Sequence, residues 1–144
     1  MANKIFFDVQ SANPEVKIIA GSFAPNGSSA IDADSNSGAG WSVAYTSTGK
    51  YTVTLDQIYP GIISATATLA LNAVADSKVQ LGAIDVTSAK TIVINTITGA
   101  SAADIAAHAN NKIHFCLVLR NTSLTKLEGY AKSKRSRDHD PGEG

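Results

Sequence analysis

A chain holds a metal or runs acid–base chemistry only when suitable side chains recur at spacings that bring them together. Its three histidines are His108, His114 and His139. None stands four residues from another, the spacing that puts two imidazoles on one helix face, and the single Cys116 has no second thiol with which to share zinc. Cys116 lies within Ile113-His114-Phe115-Cys116-Leu117-Val118-Leu119-Arg120, where a thiol is expected to act as a small core hydrophobe rather than a nucleophile. Serine is abundant, but no Gly-x-Ser-x-Gly elbow sets one on a strained turn. Asp8, Asp32, Asp34, Asp56, Asp76, Asp85 and Asp104 are scattered without a spacing that pairs two of them for acid and base work. The expectation is a chain that is not an enzyme, with no catalytic residue, cofactor, metal or small-molecule substrate.

Three further groupings could contact a ligand. Gly38-Ala39-Gly40-Trp41 is glycine-rich, yet it precedes a strand pattern rather than opening a helix, so a phosphate cradle is not expected. Trp41 and Tyr45 share one strand face and are expected to anchor a core rather than to stack on a sugar. Lys132-Ser133-Lys134-Arg135-Ser136-Arg137 could neutralise phosphates, but it lacks interleaved aromatics. It reads as a solvated tail or one laid on an acidic protein patch.

The elements that must position these residues are mostly strands. Period-2 alternation, the mark of a strand with one buried face, runs through Trp41–Thr46, Tyr51–Leu55 and Ile63–Asn72, where Ile63, Ala65, Ala67, Leu69 and Leu71 share a side. Ser47-Thr48-Gly49-Lys50 reads as a hairpin turn with Gly49 at positive φ, and Tyr59-Pro60-Gly61 as a second turn with a reversed glycine. Val79–Val86 and Thr91–Ile97 are β-branched runs, and Ile113–Arg120 is apolar enough for a central strand buried on both faces. Lys4–Gln10 and Val16–Phe23 bring the count to about eight. Ser101–Ala109 is alanine-rich with a capping serine, and predicts one short helix. Ala24–Gly40 predicts a long loop, either functional or flexible.

Composition is consistent with one domain: 144 residues, 44% apolar, 17% charged and no formal net charge. A neutral whole gives no electrostatic reason to expect nucleic acid or a membrane as partner, and no segment reaches the ~20 apolar residues of a membrane helix. A cytoplasm-like site of synthesis is expected. The division read here is a β-sandwich with its N-terminal arm over 1–123 and a charged tail over 124–144. Ile5, Phe6 and Phe7 near the start are too apolar to sit in water, and Leu127 and Tyr130 lie among tail charges that include Lys134, Arg135 and Arg137. These eight residues are the candidate protein-contact residues.

Gly40-Trp41-Ser42-Val43, Ser47-Thr48-Gly49-Lys50-Tyr51-Thr52-Val53, Tyr59-Pro60 and Asn110-Asn111-Lys112-Ile113-His114-Phe115 carry a resemblance over about Gly38 to Ser123. The chain resembles the small β-sandwich structural proteins of tailed bacteriophages, in particular head decoration or cement proteins. The resemblance implies an all-β, antiparallel, jelly-roll-like sandwich on the outer capsid surface of a virion. It also implies binding to the major capsid protein lattice and to copies of itself, as a dimer or trimer. No binding residue carries over. The alternatives from other classes are a tail or fibre module that recognises a host surface, and a carbohydrate-binding module.

Overall fold

The computed structural model describes residues 15–121, and apart from one 3-10 turn at Ala33–Ser35 its regular structure is entirely extended. Nine strands follow in order: β1 Val16–Phe23, β2 Ser37–Gly38, β3 Trp41–Ser47, β4 Lys50–Leu55, β5 Gly61–Ala70, β6 Ser77–Asp85, β7 Thr91–Thr98, β8 Ser101–Ala102 and β9 Lys112–Arg120. They form two antiparallel sheets, β2-β1-β9-β5 and β3-β4-β7-β6, with β8 paired to β7. The all-β sandwich expected from the alternation is the observed architecture.

The alternation does the packing. Tyr51, Val53 and Leu55 of β4 and Ile92 and Ile94 of β7 point inward from one sheet, and Ile19, Phe23, Ile113, Phe115, Leu117 and Leu119 from the other, closing one buried cluster with Tyr59 and Val86. Each such side chain, fully buried, contributes about 1.5–3 kcal/mol. Aromatic rings bridge the layers, Phe23 to Tyr51 at 5.5 Å between centroids and Trp41 edge-on to Phe115 at 4.8 Å. Trp41 and Tyr45 pack against the core as anchors. The indole needs a slot without a side chain: a Cβ added at Gly21 would lie 2.3 Å from the ring.

Gly49 takes φ +64, and the register slips by one between Tyr45 and Ser47, the pattern of a hairpin turn closed by a glycine bulge. Gly61 differs from expectation. It opens β5 without positive φ, and an added Cβ there would press on the flexible Arg120 side chain at 3.3 Å.

Three expectations on the strands and helix are corrected. No helix forms over Ser101–Ala109: Ser101 and Ala102 pair with Thr98 and Ile97, Thr96 Oγ1 donates to the Ala103 carbonyl at 2.6 Å, and Ile105 is buried. Contacts made by the fold override the helix preference of alanine. Ile63 does not join the inward row, because a bulge between Ile62 and Ser64 gives the inward place to Ile62 and leaves Ile63 57% exposed. β9 is central, between β1 and β5, but only one of its faces is buried.

Ala24–Gly40 is a long connection pinned by its own polar groups. Asp32 caps the 3-10 turn by accepting from Asp34 N at 3.0 Å, and Ser35 Oγ accepts from Ala24 N at 3.2 Å.

Candidate interaction surface

In an antiparallel sheet, residues directly opposite one another share a face. The register therefore builds the outer face of the four-stranded sheet in rows across β1, β9 and β5: Val16–Arg120–Gly61, Ile18–Val118–Ser64, Ala20–Cys116–Thr66 and Ser22–His114–Thr68. The middle of this face carries aliphatic groups, a thiol and hydroxyls, with Lys112 and Arg120 only at the two ends of β9. Ile18 is 53% exposed, and the bulge turns Ile63 out beside the same row. Cys116 thus corrects its sequence reading: it faces outward, half-buried between Ala20 and Thr66, rather than into the core. His114 lies exposed on that face. The signal that could have separated Cys116 from its neighbours is parity with Phe115 and Leu117, which a continuous apolar run conceals.

The face ends at an open strand edge. β9 covers one edge of β1 along its whole length, while β2 pairs with the other edge only at Gly21 and Ser22. Beside Val16–Ala20 no described strand adds hydrogen bonds. A groove of about 410 Å³ follows that edge, lined by Lys17 to Ala20, Ala39, Gly40, Asp56, Gln57 and Tyr59. Glu15 and Asn121, the first and last described residues, meet at the start of β1, since Val16 pairs with Arg120 and Asn121 N donates to the Glu15 carbonyl at 2.6 Å.

A second recess of about 320 Å³ gathers Asn72, Asp104, His108 and Asn111, but their polar atoms are engaged in holding the fold. Asp104 accepts from Gly49 N at 2.7 Å and from the Tyr45 hydroxyl at 3.2 Å. Asn111 donates to the Ala106 carbonyl and accepts from Asn72 N, and His108 Nδ1 accepts from Asn110 N at 3.0 Å. Asp104 was no more than one scattered carboxylate in the sequence, and only the fold brings it to the hairpin turn. Among the described residues, no three His, Cys, Asp or Glu side chains gather as a metal ion would require.

Two ionisable groups are displaced from their usual behaviour, both for structural reasons. Burial, and then the nearby Asp104 carboxylate, pushes the Tyr51 hydroxyl up; Ile105 and Thr96 approach and offset part of this without meeting hydrogen-bond geometry. Asp85 is held below the usual carboxylate range by the Ser88 N–H, then that of Ala89, with the Thr87 hydroxyl adding to them. It closes the turn from β6 to β7, accepting from Ser88 N at 2.9 Å.

The contact residues Ile5, Phe6, Phe7, Leu127, Tyr130, Lys134, Arg135 and Arg137, and the tail boundary at 124, lie outside the described residues. No protein-family model, curated protein or solved structure matches the chain. No helix among the described residues is long and apolar enough to cross a membrane.

Proposed function

We propose that this chain is a non-enzymatic structural protein that attaches to a larger protein assembly, as a decoration or cement protein on the outer surface of a viral shell. The observation that carries the reading is the outer face of β1, β9 and β5, where Ile18 and Ile63 stand more than half in water amid hydroxyls, with charge only at the margins. Apolar groups rimmed by polar ones suit a protein partner, because contact removes the aliphatic groups from water and leaves the rim hydrated. Glu15 and Asn121 meet at one end of this face, a position from which segments continuing beyond them can reach a neighbouring subunit. The partners in this reading are the major capsid protein lattice and further copies of the chain.

The recognition of sugars is the weaker reading, for a specific reason. Among the described residues, Phe23, Trp41, Tyr45, Tyr51 and Phe115 pack against one another in tilted or edge-on pairs around the core, and the exposed large apolar side chains are all aliphatic, which disfavours a carbohydrate-stacking platform. The test is co-sedimentation with shells assembled from the capsid protein of the same virus. Wild-type protein should pellet with shells and raise their melting temperature, and Ile18→Asp with Ile63→Asp should weaken binding at least about tenfold. Shells that bind the double variant as well as wild type would overturn the reading.

A further inference from the structure

The open edge of β1 has the length and the side chains of a strand acceptor. Its free stretch is Val16–Ala20, since β2 occupies the same edge from Gly21 onward. An exposed edge of this kind is a template for an added strand. Lys17 guards it. That side chain shares the inner face with Ile19 yet is exposed at the rim, and a charge aimed inward at an edge opposes indiscriminate pairing. A strand that docks here must bring a negative charge opposite Lys17 and apolar groups opposite Ile18 and Ile19.

The sequence contains such a strand. Laid antiparallel along the edge with Asp8 opposite Lys17, the segment Ile5-Phe6-Phe7-Asp8-Val9 places Val9 opposite Val16, Phe7 opposite Ile18, Phe6 opposite Ile19 and Ile5 opposite Ala20. Its five residues span the free edge and stop where β2 begins. Phe6 then falls on the groove side, toward Ile19, Gly40 and Tyr59. Moving the register by one in either direction takes Asp8 off Lys17. One way, Val9 meets Lys17 and Asp8 meets Ile18; the other way, Phe7 meets Lys17 while Phe6 and Ile5 still meet Ile18 and Ile19, so the charge pair is what fixes the register.

We infer that the β1 edge of each copy accepts the segment Ile5–Val9 of a second copy, so that neighbouring molecules are joined by exchanged strands. The chain's own segment is disfavoured by Pro14. Returning to its own β1 requires the chain to reverse within Gln10–Glu15, and a tight reversal there draws on the helical region of backbone space at residues such as Asn13. A residue before proline is driven away from that conformation toward an extended one, which carries the segment outward. The inference rests on the reading of the chain as a protein that assembles with copies of itself, and gives that assembly its joint.

The experiment is sedimentation velocity on the full chain with Lys17→Glu and with Asp8→Lys, separately and mixed in equal amounts. Wild type should self-associate. Each variant alone sets like charges opposite one another and should associate at least about tenfold more weakly. The mixture should recover wild-type association, because each variant's segment then meets an oppositely charged edge on the other. Far-UV circular dichroism checks the fold. Should Lys17→Glu unfold, Phe7→Asp, outside the described sandwich, should dissociate the protein in its place. A monomeric wild type, self-association that ignores all three substitutions, or a mixture that fails to recover would each overturn the exchange. Association that ignores them while shells still bind the protein overturns only the exchange; intact exchange with no shell binding overturns only the shell reading.

Discussion

Tyr51 is fully enclosed, and its hydroxyl is short of a well-formed hydrogen bond. Its folded pKa is raised above the ordinary 10.0. Below that pH the group is protonated in both states and stability is unaffected. As pH rises past about 10, the unfolded tyrosine ionises first and stability falls until the folded pKa is passed. Tyr51→Phe should change stability by no more than about 1 kcal/mol at neutral pH and should remove this alkaline loss, as read from urea denaturation at neutral pH and near pH 11. Leu117 offers a simpler test: it is fully buried in β9, so Leu117→Ala should cost about 2–5 kcal/mol in the same assay. Its burial was legible because Phe115, Leu117 and Leu119 lie in the most continuous apolar run of the chain. That same continuity hid the outward face, where Val118 and Cys116 read as core although they look toward solvent.

Among the elements, the β3–β4 hairpin was legible because both of its signals are local, a glycine that must take positive φ and alternation on either side of it. The segment after β8 was not, because its conformation is set by residues far away in sequence. Thr96 binds Ala103, Gly27 N donates to the Ile105 carbonyl, and Gly49 N reaches Asp104. Asp104 is therefore the clip between this segment and the hairpin turn. Asp104→Ala should destabilise the protein by about 1.5–3 kcal/mol, the range for a hydrogen bond to a charged group. It should also speed amide exchange at Gly49 specifically, which hydrogen-exchange NMR would resolve. A loss of stability with Gly49 still protected would mean that the segment is held by the burial of Ile105 alone.

At the scale of the molecule, the strand count and alternation foretold two packed sheets, whereas the pairing of the first and last described long strands could not be read from them. β1 and β9 lie about a hundred residues apart and pair antiparallel along the whole of β1, a non-local contact that no local pattern signals. That pairing brings Glu15 and Asn121, the first and last described residues, together at one end of the exposed outer face. Leu117, Leu119, Ile113 and Phe23 are all enclosed, and the cluster they form with the other buried residues is continuous among the described residues. Deleting 126–144 should therefore leave the β-sheet circular dichroism and the melting temperature close to wild type. The deletion also removes Leu127, Tyr130, Lys134, Arg135 and Arg137, and in the assembly reading it should weaken attachment to shells in co-sedimentation of the same sample. Full-strength binding by the truncated protein would place attachment on the sheet face and the N-terminal strand. A truncated protein that unfolds would show instead that the tail completes the sandwich from outside.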